Sequence, residues 1–170
     1  MGPVEIIFIT IIILFGIIGV ARGFHKELGI TTMLLLTLFL IELAESRFAT
    51  QLNGLLSLIG GEGNLTVTKA IVYTLALLGV TFISYQGETL TFPGGGRSHI
   101  VAAMVGLLNG YLLVGSIWHY LAQANWAGMG IRPPFTQFYQ VAVKLLPPAV
   151  LDWPFLIIMV ALMLILRVWK

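Results

Sequence analysis

The sequence predicts an all-α integral membrane protein: a bundle of about five transmembrane helices plus one interfacial amphipathic helix. Three observations carry that expectation. The chain is 58% hydrophobic and only 9% charged, with a mean hydropathy of +0.99, where soluble domains carry roughly one-quarter charged residues. Its apolar residues gather in long runs without the alternation of barrel strands. Backbone groups in lipid must be bonded within their own segment, so such runs are expected to be helical. Finally, the 170 residues include no cysteine, which removes disulfides, thiolate metal sites and cysteine nucleophiles. Nine Lys and Arg against seven Asp and Glu leave a net charge of +2, too slight to suggest a nucleic-acid partner.

The first span is Val4–Ala21, opened by Pro3, whose missing N–H costs nothing in a first helical turn. "MGPVE" lacks the positive n-region of a signal peptide and Ile6 breaks the myristoylation pattern, so a retained helix is expected. The second span is Leu28–Leu43 and the third Ala70–Gln86, with Thr66 or Thr68 as its cap. Ile100–Ala122 is the fourth and Trp153–Val168 the fifth. A hydrocarbon core of about 30 Å needs about 20 helical residues, so the second, third and fifth must borrow from their flanks or sit in thinned bilayer. Between the last two spans, Phe135, Phe138, Tyr139, Ala142 and Leu146 recur at helical spacing, opposite Gln137, Gln140 and Lys144. Residues 134–149 therefore predict an amphipathic helix lying in the interface, apolar face down. Trp153 and Trp169 bracket the last helix as aromatic belts. The resulting organisation is a membrane domain over 1–122, an extramembrane connection over 123–152 and a fifth helix over 153–170.

Orientation follows from "GVARGFHKELG", residues 19–29. Lys and Arg are retained in cytoplasmic loops, so Arg22 and Lys26 place this turn inside and the N-terminus outside. Five spans then put the C-terminus, with Arg167 and Lys170, in the cytoplasm too. Arg97 joins the inner set, while Arg47, Lys69, Arg132 and Lys144 fall in the outer loops.

Glu5, followed by Arg22-Gly23-Phe24 and Glu27-Leu28, resembles the opening of the colicin V production protein (CvpA-like) family. That family begins with an acidic residue at the edge of its first helix, then an Arg-Gly-Phe turn followed by Glu. In its fourth helix the family carries Asp-Arg, two spaced glycines and a later Arg-Gly. Here "SHIVAAMVGLLNG" keeps Gly106 and Gly110 in register, with Ser98-His99 for Asp-Arg, Ala102 for a first Gly and Asn109 for the later Arg. The resemblance covers about Val4 to Ala122, and the fifth helix exceeds the family's usual four. It implies a bacterial inner-membrane protein linked to colicin production and envelope behaviour, without an established catalytic activity. Some relatives use a similar helical domain to anchor a periplasmic serine protease, for which residues up to Lys170 leave no room.

Ala102, Gly106 and Gly110 form a small-residue stripe on the fourth span, and Gly16, Gly19 and Gly23 a similar one on the first. Such stripes let helices approach closely, within one chain or between copies or partner subunits. Glu5, Glu42 and Glu45 lie at span edges where water reaches, with Arg47 available to Glu42 or Glu45, and no span carries an ionisable residue at its midpoint. His119 stands near the end of the fourth span, with Gly115 one turn earlier leaving open space and Trp118 and Trp126 nearby. A neutral imidazole beside a small residue is a possible axial ligand, so a chlorophyll-type pigment on His119 is the alternative to the expectation of no cofactor. The Gly-rich stretches "GLLSLIGGEGNLT" and "GETLTFPGGGR" read as loops, without the Lys-Ser/Thr of a phosphate loop. No G-x-S-x-G, HExxH or paired ligand spacing is present, so no enzyme is expected. The expected function is a structural or interaction component of a bacterial cytoplasmic membrane. An accessory subunit of a photosynthetic or respiratory complex is the alternative, and a small transporter or channel the third.

Overall fold

The computed structural model of the chain describes residues 2–87, 92, 98–126, 129, 131 and 135–168. Among these there are only helices: α1 (Pro3–Arg22), α2 (Phe24–Arg47), α3 (Ala49–Gly60), α4 (Leu65–Gln86), α5 (His99–Gln123), α6 (Gln137–Lys144), α7 (Pro147–Val150) and α8 (Trp153–Val168), with a 3-10 turn at Glu62–Asn64. Four of them, Val4–Arg22 within α1, then α2, α4 and α5, are long and apolar enough to cross a membrane. That is compatible with a multi-pass membrane protein.

The expected fifth span is corrected. Trp153–Val168 is apolar but has 16 residues, about 24 Å of helix against a core of about 30 Å. It packs lengthwise on α2 through Leu156 and Val160, both buried. The cytoplasmic C-terminus, which followed from counting five spans, no longer follows. Trp169, the cytoplasmic half of the expected aromatic pair, lies outside the described residues, as does Lys170.

The segments that looked too short lengthen by taking in polar flanks. α2 reaches 24 residues by adding Phe24–Glu27 and Ala44–Arg47 to the expected span, and α4 reaches 22 by starting at Leu65. Neither Thr66 nor Thr68 caps α4. Its N-cap is Asn64, and the Thr68 hydroxyl instead donates to the Asn64 carbonyl at 3.1 Å. Within α2, the hydroxyls of Thr31, Thr32 and Thr37 are each within bonding reach of the carbonyl one turn earlier, which lets hydroxyls sit in an apolar helix.

α2 is the central element. Ile30, Leu34, Leu35, Leu38 and Ile41 are buried against Tyr73 and Leu77 of α4, Leu112 and Leu113 of α5, and α8. α1 lies on the outside and docks chiefly on α5, running antiparallel to it. The stretch read as a Gly-rich loop is largely α3, which seats Leu56 while Leu55, Leu58 and Ile59 stay exposed. Helical glycine costs about 1 kcal/mol, which apolar docking of one face offsets. The second such stretch falls mostly outside the described residues. Its Phe92 is buried, and the Phe92 N–H approaches the His25 carbonyl at 3.4 Å.

The amphipathic segment is shorter than expected and broken. α6 ends at Lys144, and a bend at Leu145–Leu146 leads into the one-turn α7. Phe135, Tyr139, Ala142 and Leu146 pack on Trp118 and Trp126 rather than facing down into lipid, while Phe138 is exposed. Large aromatic surfaces at the end of α5 offer this face a protein partner, so it does not need the interface.

One residue, Gly23, joins α1 to α2. It sits at φ 87°, ψ 156°, a region that side chains with a Cβ avoid at a cost of about 1–3 kcal/mol. Gly23→Ala is expected to lower the thermal midpoint in detergent. Gly54→Ala, inside α3 with open space around it, should leave the midpoint unchanged or raise it. Equal, small effects of both would remove the backbone argument.

Candidate functional site

The Arg-Gly-Phe turn delivers its two charges into the bundle. With α2 starting at Phe24, Glu27 occupies the fourth helical position and is fully buried, not displayed in a wet loop. Arg22 Nε stands 3.2 Å from Glu27 Oε1, close in charge but misaligned for a hydrogen bond. The other carboxylate oxygen accepts from Asn109 Nδ2 at 2.9 Å and from the Tyr85 hydroxyl at 3.2 Å. Asn109, also fully buried, donates to the Glu27 backbone carbonyl at 3.0 Å as well. Its Oδ1 accepts from Thr31 at 2.7 Å. Both donors and the acceptor of the amide are thus engaged.

Arg22 is anchored from a third side. Nη1 donates to the Tyr85 carbonyl at 2.8 Å, Nη2 approaches the Ser84 carbonyl at 3.5 Å, and the guanidinium lies 4.6 Å from the Tyr85 ring centre. Residues of α1, α2, α4 and α5 therefore meet in one polar knot. A carboxylate in an apolar interior is tolerable only when opposite charge and hydrogen bonds surround it, and here all are supplied by protein. Chemically the knot fixes the rotation and depth of four helices against one another.

A second buried carboxylate lies at the other end of α1. Glu5 is 1% exposed, which corrects its placement in water. It accepts from the Gly2 backbone N–H and from the Thr136 hydroxyl, so it clasps the segment leading into α6. Aromatic packing closes over that end. Phe8 meets Trp118 edge-on at 4.8 Å, Phe135 stacks on Tyr139 at 4.1 Å, and Trp126 Nε1 donates to the Tyr139 hydroxyl at 2.8 Å. Burial here comes from a segment more than 130 residues distant in sequence, which no local pattern announces.

The remaining acidic residues pair differently from expectation. Glu45 joins α2 to α4, receiving Lys69 Nζ at 2.8 Å and the Tyr73 hydroxyl at 2.5 Å. Arg47 pairs with neither Glu42 nor Glu45 among the described ion pairs; its guanidinium lies 5.0 Å from the Trp153 ring centre. His119 Nε2 contacts Gln123 Nε2 at 2.8 Å. The space expected beside it is filled: a Cβ on Gly115 would stand 2.7 Å from Pro147 Cδ, with Leu146 behind. A macrocycle seated over Gly115 does not fit that packing.

The small residues of α1 and α5 interlock. A Cβ on Gly106 would run into the Phe15 carbonyl, one on Gly110 would stand 2.9 Å from Ile12 Cα, and one on Gly19 would meet Gly106 Cα at 3.0 Å. Gly16 faces Leu107, and Ala102 is buried beside Gly19.

Sequence reasoning overlooked Asn109, which it treated only as a departure from a family Arg. An amide in the middle of an apolar span was itself the signal, since such a group must find a partner on another helix. Compared with known proteins, the chain matches no family model, no curated protein and no solved structure.

Proposed function

We propose that the chain is a multi-pass, non-catalytic protein of a bacterial cytoplasmic membrane, of CvpA-like type, acting as a structural and interaction component. The observation that supports this reading is the fate of the motif charges. Arg22 and Glu27, which carry the resemblance, serve each other, Asn109 and Tyr85. A motif whose charged groups tie helices together suits a protein whose product is a rigid surface, with the exposed apolar faces of α1, α4 and α8 meeting lipid or other subunits. The Arg22–Lys26 turn faces the cytoplasm and the N-terminus the outside.

The test has two arms. The full chain should remain in the membrane pellet after alkaline carbonate washing, and an impermeant thiol reagent added outside should modify Gly2→Cys but spare His25→Cys. Native electrophoresis in mild detergent should place the protein well above its 18.6 kDa monomer mass. Reversed labelling overturns the orientation, and a detergent-solubilised monomer overturns the assembly role.

A further inference from the structure

We propose that α3 is an interfacial helix whose exposed apolar strip is seated in the headgroup–acyl boundary of the leaflet where α2 ends and α4 begins. Its 12 residues present three strips. Leu52, Leu56 and Gly60, spaced by four, face the bundle. Leu56 is buried, Leu52 packs on the core, and a Cβ on Gly60 would run into the Thr68 hydroxyl. Thr50, Gly54 and Ser57 form a polar strip, of which Thr50 and Gly54 are exposed. Leu55, Leu58 and Ile59 form the third, which is turned from the bundle and stays 63%, 83% and 74% exposed. Phe48, at the N-cap, is exposed as well, and Gln51 interrupts the strip in the first turn.

A surface helix in water buries its apolar stripe against its own core. α3 instead half-buries Asn53 and Ser57 and shows Leu58 and Ile59 to the outside. That arrangement is favourable only where the outside is apolar.

Position identifies the cover. Lys69 donates to Glu45 at 2.8 Å, so the end of α2 and the start of α4 share one level. α3 leaves α2 at Phe48, just beyond Glu45, and Gly60 returns against Thr68, next to Lys69. Both ends of a helix about 18 Å long therefore stand at that level, and it runs across the end of the bundle, along the membrane plane. From there α4 continues with Ile71 and Leu75 exposed, so the apolar surface of a span begins where α3 lies. A second copy or a partner subunit is a poor cover. A strip about 18 Å long and about 10 Å wide offers about 180 Å², against about 800 Å² per side in a stable protein interface. Lipid requires no such minimum.

Charge sets the character of the contact. From 48 to 61 the sequence has no Asp, Glu, Lys or Arg. α3 is therefore held by apolar area and not by attraction to anionic headgroups.

The inference rests on the membrane reading. The chain has no cysteine, so a single-cysteine variant carries one label. Leu58→Cys, Thr50→Cys and Leu75→Cys, each bearing an environment-sensitive fluorophore, are reconstituted as full-length protein in phosphatidylcholine vesicles. All three side chains are exposed, so the label displaces no packing. A nitroxide high on the lipid acyl chain quenches from the bilayer, and iodide on both sides quenches from water. The nitroxide should dim the label at Leu58 at least about threefold more than that at Thr50, as for a side chain about 5–10 Å into the headgroup–acyl boundary. Iodide should show the reverse order. About 1 M salt, or replacing about a third of the lipid with phosphatidylglycerol, should change neither ratio. Equal iodide quenching at Leu58 and Thr50 overturns the inference, since the strip then stands in water. So does protection of Leu58 from both quenchers, which assigns the strip to a second copy. A ratio that shifts with salt or phosphatidylglycerol overturns seating by apolar area. Should the Leu58 variant fail to fold, Ile59→Cys reads the same strip. Nitroxide quenching at Leu75 with none at Leu58 fails this inference alone; none at Leu75 fails the membrane reading as well.

Discussion

Glu27→Leu should be the most damaging single substitution in the chain. It removes the acceptor of Asn109 Nδ2 and of the Tyr85 hydroxyl, and it leaves the Arg22 guanidinium without its counter-charge. Breaking a buried ion pair from one side costs about 3–5 kcal/mol. The lower end applies, because the Arg22 side chain keeps 24% exposure and can recover some solvation. Asn109→Leu should come second, since it strands the carboxylate and Thr31 together. The informative comparison is Arg22→Leu with Glu27→Leu, expected to be less damaging than Glu27→Leu alone, as removing both charges leaves none uncompensated. Denaturant or thermal titration in detergent reads all of these. Wild-type stability in Glu27→Leu would show that the knot is incidental to the fold.

Gly106→Leu should follow closely. The new side chain begins against the Phe15 carbonyl and 3.0 Å from Gly19 Cα, so it meets backbone rather than a side chain that could rotate away. The helices must separate, at a cost of about 1–3 kcal/mol for overpacking, plus whatever contact α1 loses with α5. Gly19→Leu addresses the same contact from the other side, so the two should be less than additive in combination. Met104→Leu, on an exposed stretch of α5, serves as the control and should be near neutral. Leu107 is unsuitable as an off-face control: it lies over Gly16, where a Cβ would meet its Cδ2 at 2.8 Å. If Gly106→Leu proves as mild as Met104→Leu, α1 is not held where the geometry places it.

The helices were legible because length and hydropathy are local properties. α1, α2, α4 and α5 stand near the expected positions, and the glycines that interlock are visible as a four-residue period. What eluded the sequence was long-range. Glu5 reads as wet until Thr136 is placed over it, and His119 reads as roomy until Pro147 fills the groove at Gly115. α3 was hidden by its glycines, which signal loops on average but not when one face can dock. The shortness of α8 was visible in its 16 residues, and assigning it a full crossing gave hydropathy too much weight over length. For the knot, the charges were noticed in the turn, but their destination depended on α2 starting four residues earlier than the apolar run.

The order of synthesis gives the knot a further meaning. Consecutive helices joined by one residue would be expected to zip together first, yet α1 makes its principal contact with α5 and little with α2. The amide that completes the set of Glu27 partners arrives 82 residues later. At about 5–20 residues per second of translation, the carboxylate waits about 4–16 s for that amide, with Arg22 beside it from the start and Tyr85 arriving before Asn109. During that interval α1 has no glycine-faced neighbour and α2 no amide to cap its charge. In a chain inserted as proposed above, this hairpin would wait without its final neighbour until the fourth long helix emerges, and the docking of α5 would be the step that commits the chain to its final arrangement.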